Sequence, residues 1–141
     1  MIAIVREQLE QKITQCTEAL RDLKRYREMA PLEYLREHPD LYFAICFRFI
    51  SAIESLFDAA QYVLVDKGLR AEGQGDIPTL LGKAGVIPQD LAERVGQMCG
   101  FRNRLVHAYG TLDDAKVAEY LAEHLHDIED VLAALSKNSG A

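Results

Sequence analysis

Between Asp40 and Lys67 the chain carries Tyr42, Phe43, Ile45, Cys46, Phe47, Phe49, Ile50, Ile53, Leu56, Phe57, Val63 and Leu64, a set spread almost all the way round a helix. A surface helix needs only one apolar stripe, so a helix this apolar must lie at the centre of a bundle or face a second subunit. Its few polar positions are informative by contrast. Ser51, Ser55, Asp58 and Tyr62 recur at steps of four, three and four, with Arg48, Glu54 and Gln61 beside them. Such a stripe is either the solvent side of the helix or the lining of a cleft.

The neighbouring segments supply the partners that a central helix requires. From Ile2 to Met29, apolar residues fall at Ile2, Val5, Leu9, Ile13, Cys16, Leu20 and Leu23, mostly in steps of three and four, which predicts a long amphipathic helix. The Ala30-Pro31 step ends it, because a residue before proline avoids the helical region. Leu32 to His38 forms at most a short turn of helix before Pro39-Asp40 restarts the chain. After a Gly- and charge-rich loop from Gly68 to Gly75, Asp76-Ile77-Pro78 opens a short helix that Gly85 closes. Pro88-Gln89-Asp90 opens another, with Leu91, Val95, Met98 and either Leu105 or Val106 on its buried side. Thr111 to Asp114 reads as a cap for a single last helix bearing Val117, Leu121, Leu125, Ile128, Leu132 and Leu135. Residues Ser136 to Ala141 are expected to fray. No stretch alternates with a period of two, so the expected fold is all-α: one domain over residues 1–141, an antiparallel four-helix bundle with one or two short extra helices.

Composition excludes several classes of protein. At 141 residues the chain can bury roughly 68% of its unfolded surface without a staple. Cys16, Cys46 and Cys99 form no C-x-x-C pair and sit among apolar residues, as buried thiols do in a reducing compartment. His124 and His126, two apart on a helix, point about 200° apart and make no joint metal site. Met1 to Val5 is too short for a signal-peptide core, and charges interrupt every helix, so a cytoplasmic protein with no membrane span is expected. The formal net charge of −6 argues against a broad nucleic-acid coat. Any RNA contact must therefore be local, through Arg102 and Arg104. The run Arg21, Lys24, Arg25 and Arg27 reads as a solvated helix face.

Chemistry is concentrated between Gly100 and Gly110, where Arg102, Asn103, Arg104, His107 and Tyr109 fall together at the end of a helix. A permanently charged guanidinium, an imidazole that titrates near neutrality and an amide are the groups that phosphodiester cleavage without a metal requires. Arg-x4-His alone is a weak pattern, and its bland reading is an exposed arginine beside a helix-end histidine. At about 100° per residue, Arg102 and His107 diverge by roughly 140° on a regular helix, whereas Asn103 and His107 share a face. Either the helix unwinds near Val106 to Gly110, or a symmetric partner supplies the second half of the site. The apolar excess of the 40–67 helix favours a homodimer.

Arg102-Asn103-x-x-x-His107 resembles the Arg-x4-6-His signature of HEPN domains, and its extension to Tyr109 resembles the HepT toxins of HepT–MntA toxin–antitoxin systems. Ile53-Glu54 through Asp58 and Gln61, Gly85-Val86-Ile87-Pro88, Met98 through His107 and the acidic start of the last helix are similar to that family too, over roughly residues 40 to 135. The resemblance implies a dimeric, metal-independent endoribonuclease toxin acting on tRNA or mRNA without a cofactor. It implies catalytic roles for Arg102, His107 and Asn103, and supporting RNA contacts from Tyr109 and Arg104. The implied partner is an MntA-like nucleotidyltransferase antitoxin that transfers AMP to Tyr109. Two alternatives remain at this point: a non-catalytic HEPN binding subunit of a nucleotidyltransferase, and a purely structural helical dimer.

Overall fold

The computed structural model describes residues 1–29, 32–107 and 114–138. These hold α1 (Ala3–Met29), α2 (Leu32–Glu37), α3 (Pro39–Asp66), α4 (Ile77–Lys83), α5 (Gln89–His107), α6 (Asp114–Glu123) and α7 (Leu125–Lys137), with a 3₁₀ turn at Gln74–Asp76 ahead of α4. The fold is the expected all-α bundle, and no strand occurs among the described residues. Ala30-Pro31 and the Thr111 to Asp113 part of the expected cap lie outside the described residues. Of the tail expected to start at Ser136, Ser136 and Lys137 belong to α7, and residues 139–141 lie outside the described residues.

The apolar α3 occupies the centre, packed against α1, α5 and α7, with the short α2 and α4 also touching it. Phe49, Ile53, Leu56, Phe57 and Leu64 are fully or almost fully buried along its length. The polar stripe divides on folding. Ser55 is buried, and its hydroxyl donates to the carbonyls of Ser51 at 2.7 Å and Ala52 at 3.1 Å, so the buried group is satisfied within its own helix. Across from it, burial pushes the Cys16 thiol up to about 12, against a smaller opposing effect of its hydrogen bond with Ser55. Asp58 pairs with Lys12 of α1 at 3.1 Å, and Tyr62 is half-buried. Phe43, Phe47 and Val65 stay at least 60% exposed, so a single chain does not use all the apolar surface of α3.

The single last helix expected from the sequence is instead two. The chain breaks at His124 (φ −118°, ψ 5°), between α6 and α7. Val117, Leu121 and Leu125 are four apart here, and each step of four drifts about 40° round a helix; α1 carries the same double step at Val5, Leu9 and Ile13 without a break and leaves Ile13 only partly buried. A break lets both halves return their apolar side to the core, and Val117, Leu121, Leu125, Ile128, Val131 and Leu135 are all buried. Val131 takes the place expected for Leu132, which is only partly buried. In α7 the buried Asp127 accepts from Arg94 Nε at 2.7 Å, tying α7 to α5. Arg36 of α2 pairs with Asp114 at 3.0 Å, and this holds the Asp114 carboxyl below its ordinary range at the start of α6.

Gly68 and Gly85 end α3 and α4 in the left-handed region, with φ of 78° and 72°. In each case the residue after the glycine reaches back five positions: Leu69 N–H to Leu64 O at 2.9 Å, and Val86 N–H to Leu81 O at 3.0 Å. This pattern satisfies carbonyls that a helix end would otherwise leave bare. Gly85→Ala is expected to lose about 1–2 kcal/mol of stability, the cost of placing an L side chain in that region. Gly96→Ala, inside α5, is expected to gain roughly 0.5–1 kcal/mol. A Cβ added at either position meets no atom within 4 Å, so opposite shifts of the urea midpoint read the backbone effect alone.

Candidate functional site

The C-terminal end of α5 is held in rotation by an aromatic cluster. Phe101, 4% exposed, stacks on Tyr120 of α6 (centroids 3.9 Å apart, planes 2° apart) and meets Phe49 of α3 edge-on at 5.1 Å. Leu105, one turn on, is the buried member of the Leu105/Val106 pair. With these two residues committed to the core, the side chains between and beside them have fixed directions.

Arg102 turns toward α3. Its Nε donates to Glu54 Oε1, and its Nη1 donates to Asn103 Oδ1 at 3.0 Å. The second carboxylate oxygen of Glu54 accepts from Gln74 Nε2 at 3.2 Å, so the 3₁₀ turn is joined to the same network. The pair is partly shielded, with the Arg102 side chain 19% exposed and that of Glu54 32%. Cys99, three residues before Arg102, is buried; desolvation pushes its thiol up, while the neighbouring guanidinium pulls it down. The guanidinium fork of Arg102 is therefore aimed by two partners and still reachable from solvent, an arrangement suited to gripping an anionic oxygen.

The other expected site residues are distributed differently. Asn103 is exposed on α5, and its carbonyl is taken by Arg102 rather than directed along the helix toward His107. Arg104, two residues beyond Arg102 and so about 200° round the helix, faces the opposite way. It lines an open groove of about 340 Å³ with Gln97, Lys116, Glu119, Tyr120 and His124. The structure does not bring Arg104 and Arg102 together. The backbone of α5 stays helical through His107, while the His107 side chain and all of Tyr109 and Gly110 lie outside the described residues. Of the stretch expected to unwind, Val106 and His107 are helical and the rest lies outside the described residues. On α1, Lys24 pairs with Glu129 at 3.1 Å and Arg25 with Asp22 at 3.3 Å, as befits a solvated face.

Two features escaped the sequence reading. Glu54 was visible as one acid in a polar stripe and as part of the family resemblance, with no link to Arg102, and Gln74 only as one residue of a loop; no local pattern links positions so far apart in sequence. Among the described residues, Glu119, Glu123 and His124 can each offer a ligand atom within 4.8 Å of the others, on the groove side of α6 and away from Arg102. The signal for that trio was the i, i+4 glutamate pair with the histidine that follows it.

Residues 16–135 match the family described as Ribonuclease HepT-like. The chain belongs to that family. An Archaeoglobus fulgidus protein named as a candidate RNase is 30% identical over 132 residues, which cover 94% of this chain and 88% of that one. Among solved structures, a toxin–antitoxin complex with AMP-PNP superimposes with a TM-score of 0.81 at 20% identity, covering 93% of this chain and 98% of that one. A tri-AMPylated Shewanella oneidensis HEPN toxin in complex with an MNT antitoxin gives 0.77 at 20% identity, over 97% and 99%. At that identity the two structures establish a common fold, the HEPN bundle. No helix among the described residues of this HepT-like chain is long and apolar enough to cross a membrane.

Because Phe101 bridges three helices beside Arg102, Phe101→Ala is expected to cost about 3–5 kcal/mol in chemical denaturation. Arg104→Ala, at an exposed position, should stay within about 0.5 kcal/mol of wild type in the same measurement.

Proposed function

We propose that this HepT-like chain is the toxin of a toxin–antitoxin pair and acts as a metal-independent endoribonuclease on cellular RNA such as tRNA or mRNA. The observation that carries the reading is Arg102: a guanidinium held by Glu54 and Asn103 at a solvent-reachable helix end, five residues before the histidine of the family signature. His107 serves as the general base, taking the proton of a ribose 2′-hydroxyl whose oxygen attacks the adjacent phosphorus. Arg102 neutralises charge on the phosphorane oxygens. The 5′-oxygen leaves with a proton from an imidazolium, so the products are a 2′,3′-cyclic phosphate and a 5′-hydroxyl. Asn103, its carbonyl engaged by Arg102, presents its amide group to a phosphate oxygen or to the imidazole.

A homodimer completes the site. Positions five apart on a regular helix point about 140° from each other, so a second copy is the simplest way to bring an arginine and a histidine of the motif to one phosphorus. Pairing two copies along the exposed α3 stripe covers Phe43 and Phe47, which lie on the same side of that helix as Glu54. It sets Arg102 of one protomer near the second motif of its partner.

Control falls to Tyr109. Its phenolic oxygen attacks the α-phosphorus of ATP held by an MntA-like nucleotidyltransferase antitoxin, releasing pyrophosphate and leaving AMP on the toxin. The added phosphate brings negative charge and bulk to the cleft and repels RNA. The Shewanella oneidensis protein of the same fold, tri-AMPylated and bound to its MNT antitoxin, supports this reading.

Expression of the wild type is expected to arrest growth, and the purified protein to cleave RNA in EDTA. His107→Ala and Arg102→Ala should each lower cleavage by about 10²–10⁴-fold and relieve the arrest. Retained toxicity in both variants would refute the mechanism, and loss of cleavage on chelation would refute metal independence. Intact-mass measurement after co-expression with the nucleotidyltransferase should show whole AMP additions that are absent from Tyr109→Phe.

A further inference from the structure

We infer that Glu54, steadied by Gln74, is the positioning residue that aims Arg102 at the scissile phosphate and keeps its charge from gripping RNA too tightly before reaction. The inference rests on the ribonuclease reading above and names a part of that site which neither the motif nor its spacing contains.

Three observations carry it. A guanidinium is planar, so fixing Nε on Glu54 and Nη1 on Asn103 fixes the plane of the whole group. What is left for a phosphate is Nη2 and the remaining Nη1 proton, on an edge whose direction Glu54 sets. Next, both carboxylate oxygens of Glu54 are engaged, one by Arg102 and the other by Gln74, which arrives from a separate turn twenty residues along the chain. A surface ion pair needs no such support; here a second group removes the freedom of the carboxylate that does the aiming. Finally, the Glu54 side chain is 32% exposed, whereas the structural acid of the same helix system, Asp127, is 6% exposed beneath Arg94. The Glu54 pair thus sits where RNA can reach it.

The carboxylate also offsets part of the positive charge of Arg102 in the resting site. Binding energy spent equally on substrate and transition state does not raise turnover, so a damped guanidinium that strengthens as phosphorane charge develops is better placed for catalysis than a bare cation. Losing Glu54 should therefore separate binding from turnover. The cation is unmasked and RNA binds at least as well, while the misaligned fork stabilises the transition state less.

The test compares wild type, E54Q, E54D, Q74A and R102A on one fluorescent single-stranded RNA, measuring kcat, KM and the salt dependence of binding, with a thermal melt of each. For E54Q the expected result is a kcat lowered about ten- to a hundredfold, a KM that does not rise, and a log–log salt slope steeper by about 0.7, as for one added phosphate contact. E54D should recover part of kcat, and Q74A should move kcat in the same direction by less. Wild-type kcat in E54Q, or a raised KM with kcat unchanged, would overturn the inference. If E54Q does not fold, Q74A and the Arg102 Nε–H resonance of the wild type decide: slow exchange with solvent is expected, and a fast-exchanging signal typical of free arginine overturns the clamp. If the wild type cleaves no RNA, the ribonuclease reading fails by itself, and the clamp is judged by that resonance and by whether E54Q binds RNA more tightly and R102A more weakly than wild type.

Discussion

Burial of α3 is the constraint on which the rest of the molecule depends. With α1, α5 and α7 covering most of its circumference, any polar group on that helix must be satisfied locally or matched by a neighbour, because an unpaired buried group costs more than a hydrogen bond returns. Ser55 takes the first course by donating to its own backbone. Asp58 and Glu54, nearer the rim, take the second with Lys12 and Arg102. The site is thus built on a polar edge of the helix that forms the core, and the rigidity of the core passes directly to Glu54.

Two of the three arginines on α5 have different duties. Arg94 reaches a buried aspartate and fastens α5 to α7, and breaking such a pair leaves a charge stranded away from water. Arg102 reaches a glutamate that water also touches and keeps donors to spare. Eight positions apart, the two point about 80° from each other round the helix, and the Phe101 stack between α3 and α6 fixes which side each faces. The same stack turns Arg104 into a separate groove, so adjacency in the motif does not translate into adjacency in space.

Much of this was legible along the chain. The period of three and four located α1, α3 and α5, the glycines at 68 and 85 marked where α3 and α4 close, and the polar eleven-residue stretch pointed to Arg102 at the end of a helix. The break at His124 was implicit in two successive steps of four, but such a drift ends either in a bend or in a partly exposed apolar residue, and only packing decides between them.

The sequence by itself determined the helical class, the central role of the 40–67 segment and the residue types available for chemistry, because these follow from periodicity and side-chain character that each position carries alone. Tertiary structure alone decided which of those residues meet. Glu54, Gln74 and Arg102 lie far apart in the chain and share no pattern; they converge because packing of α3 against α5 fixes the rotation of both helices. Rotation is a property of the packed pair, and no single segment encodes it.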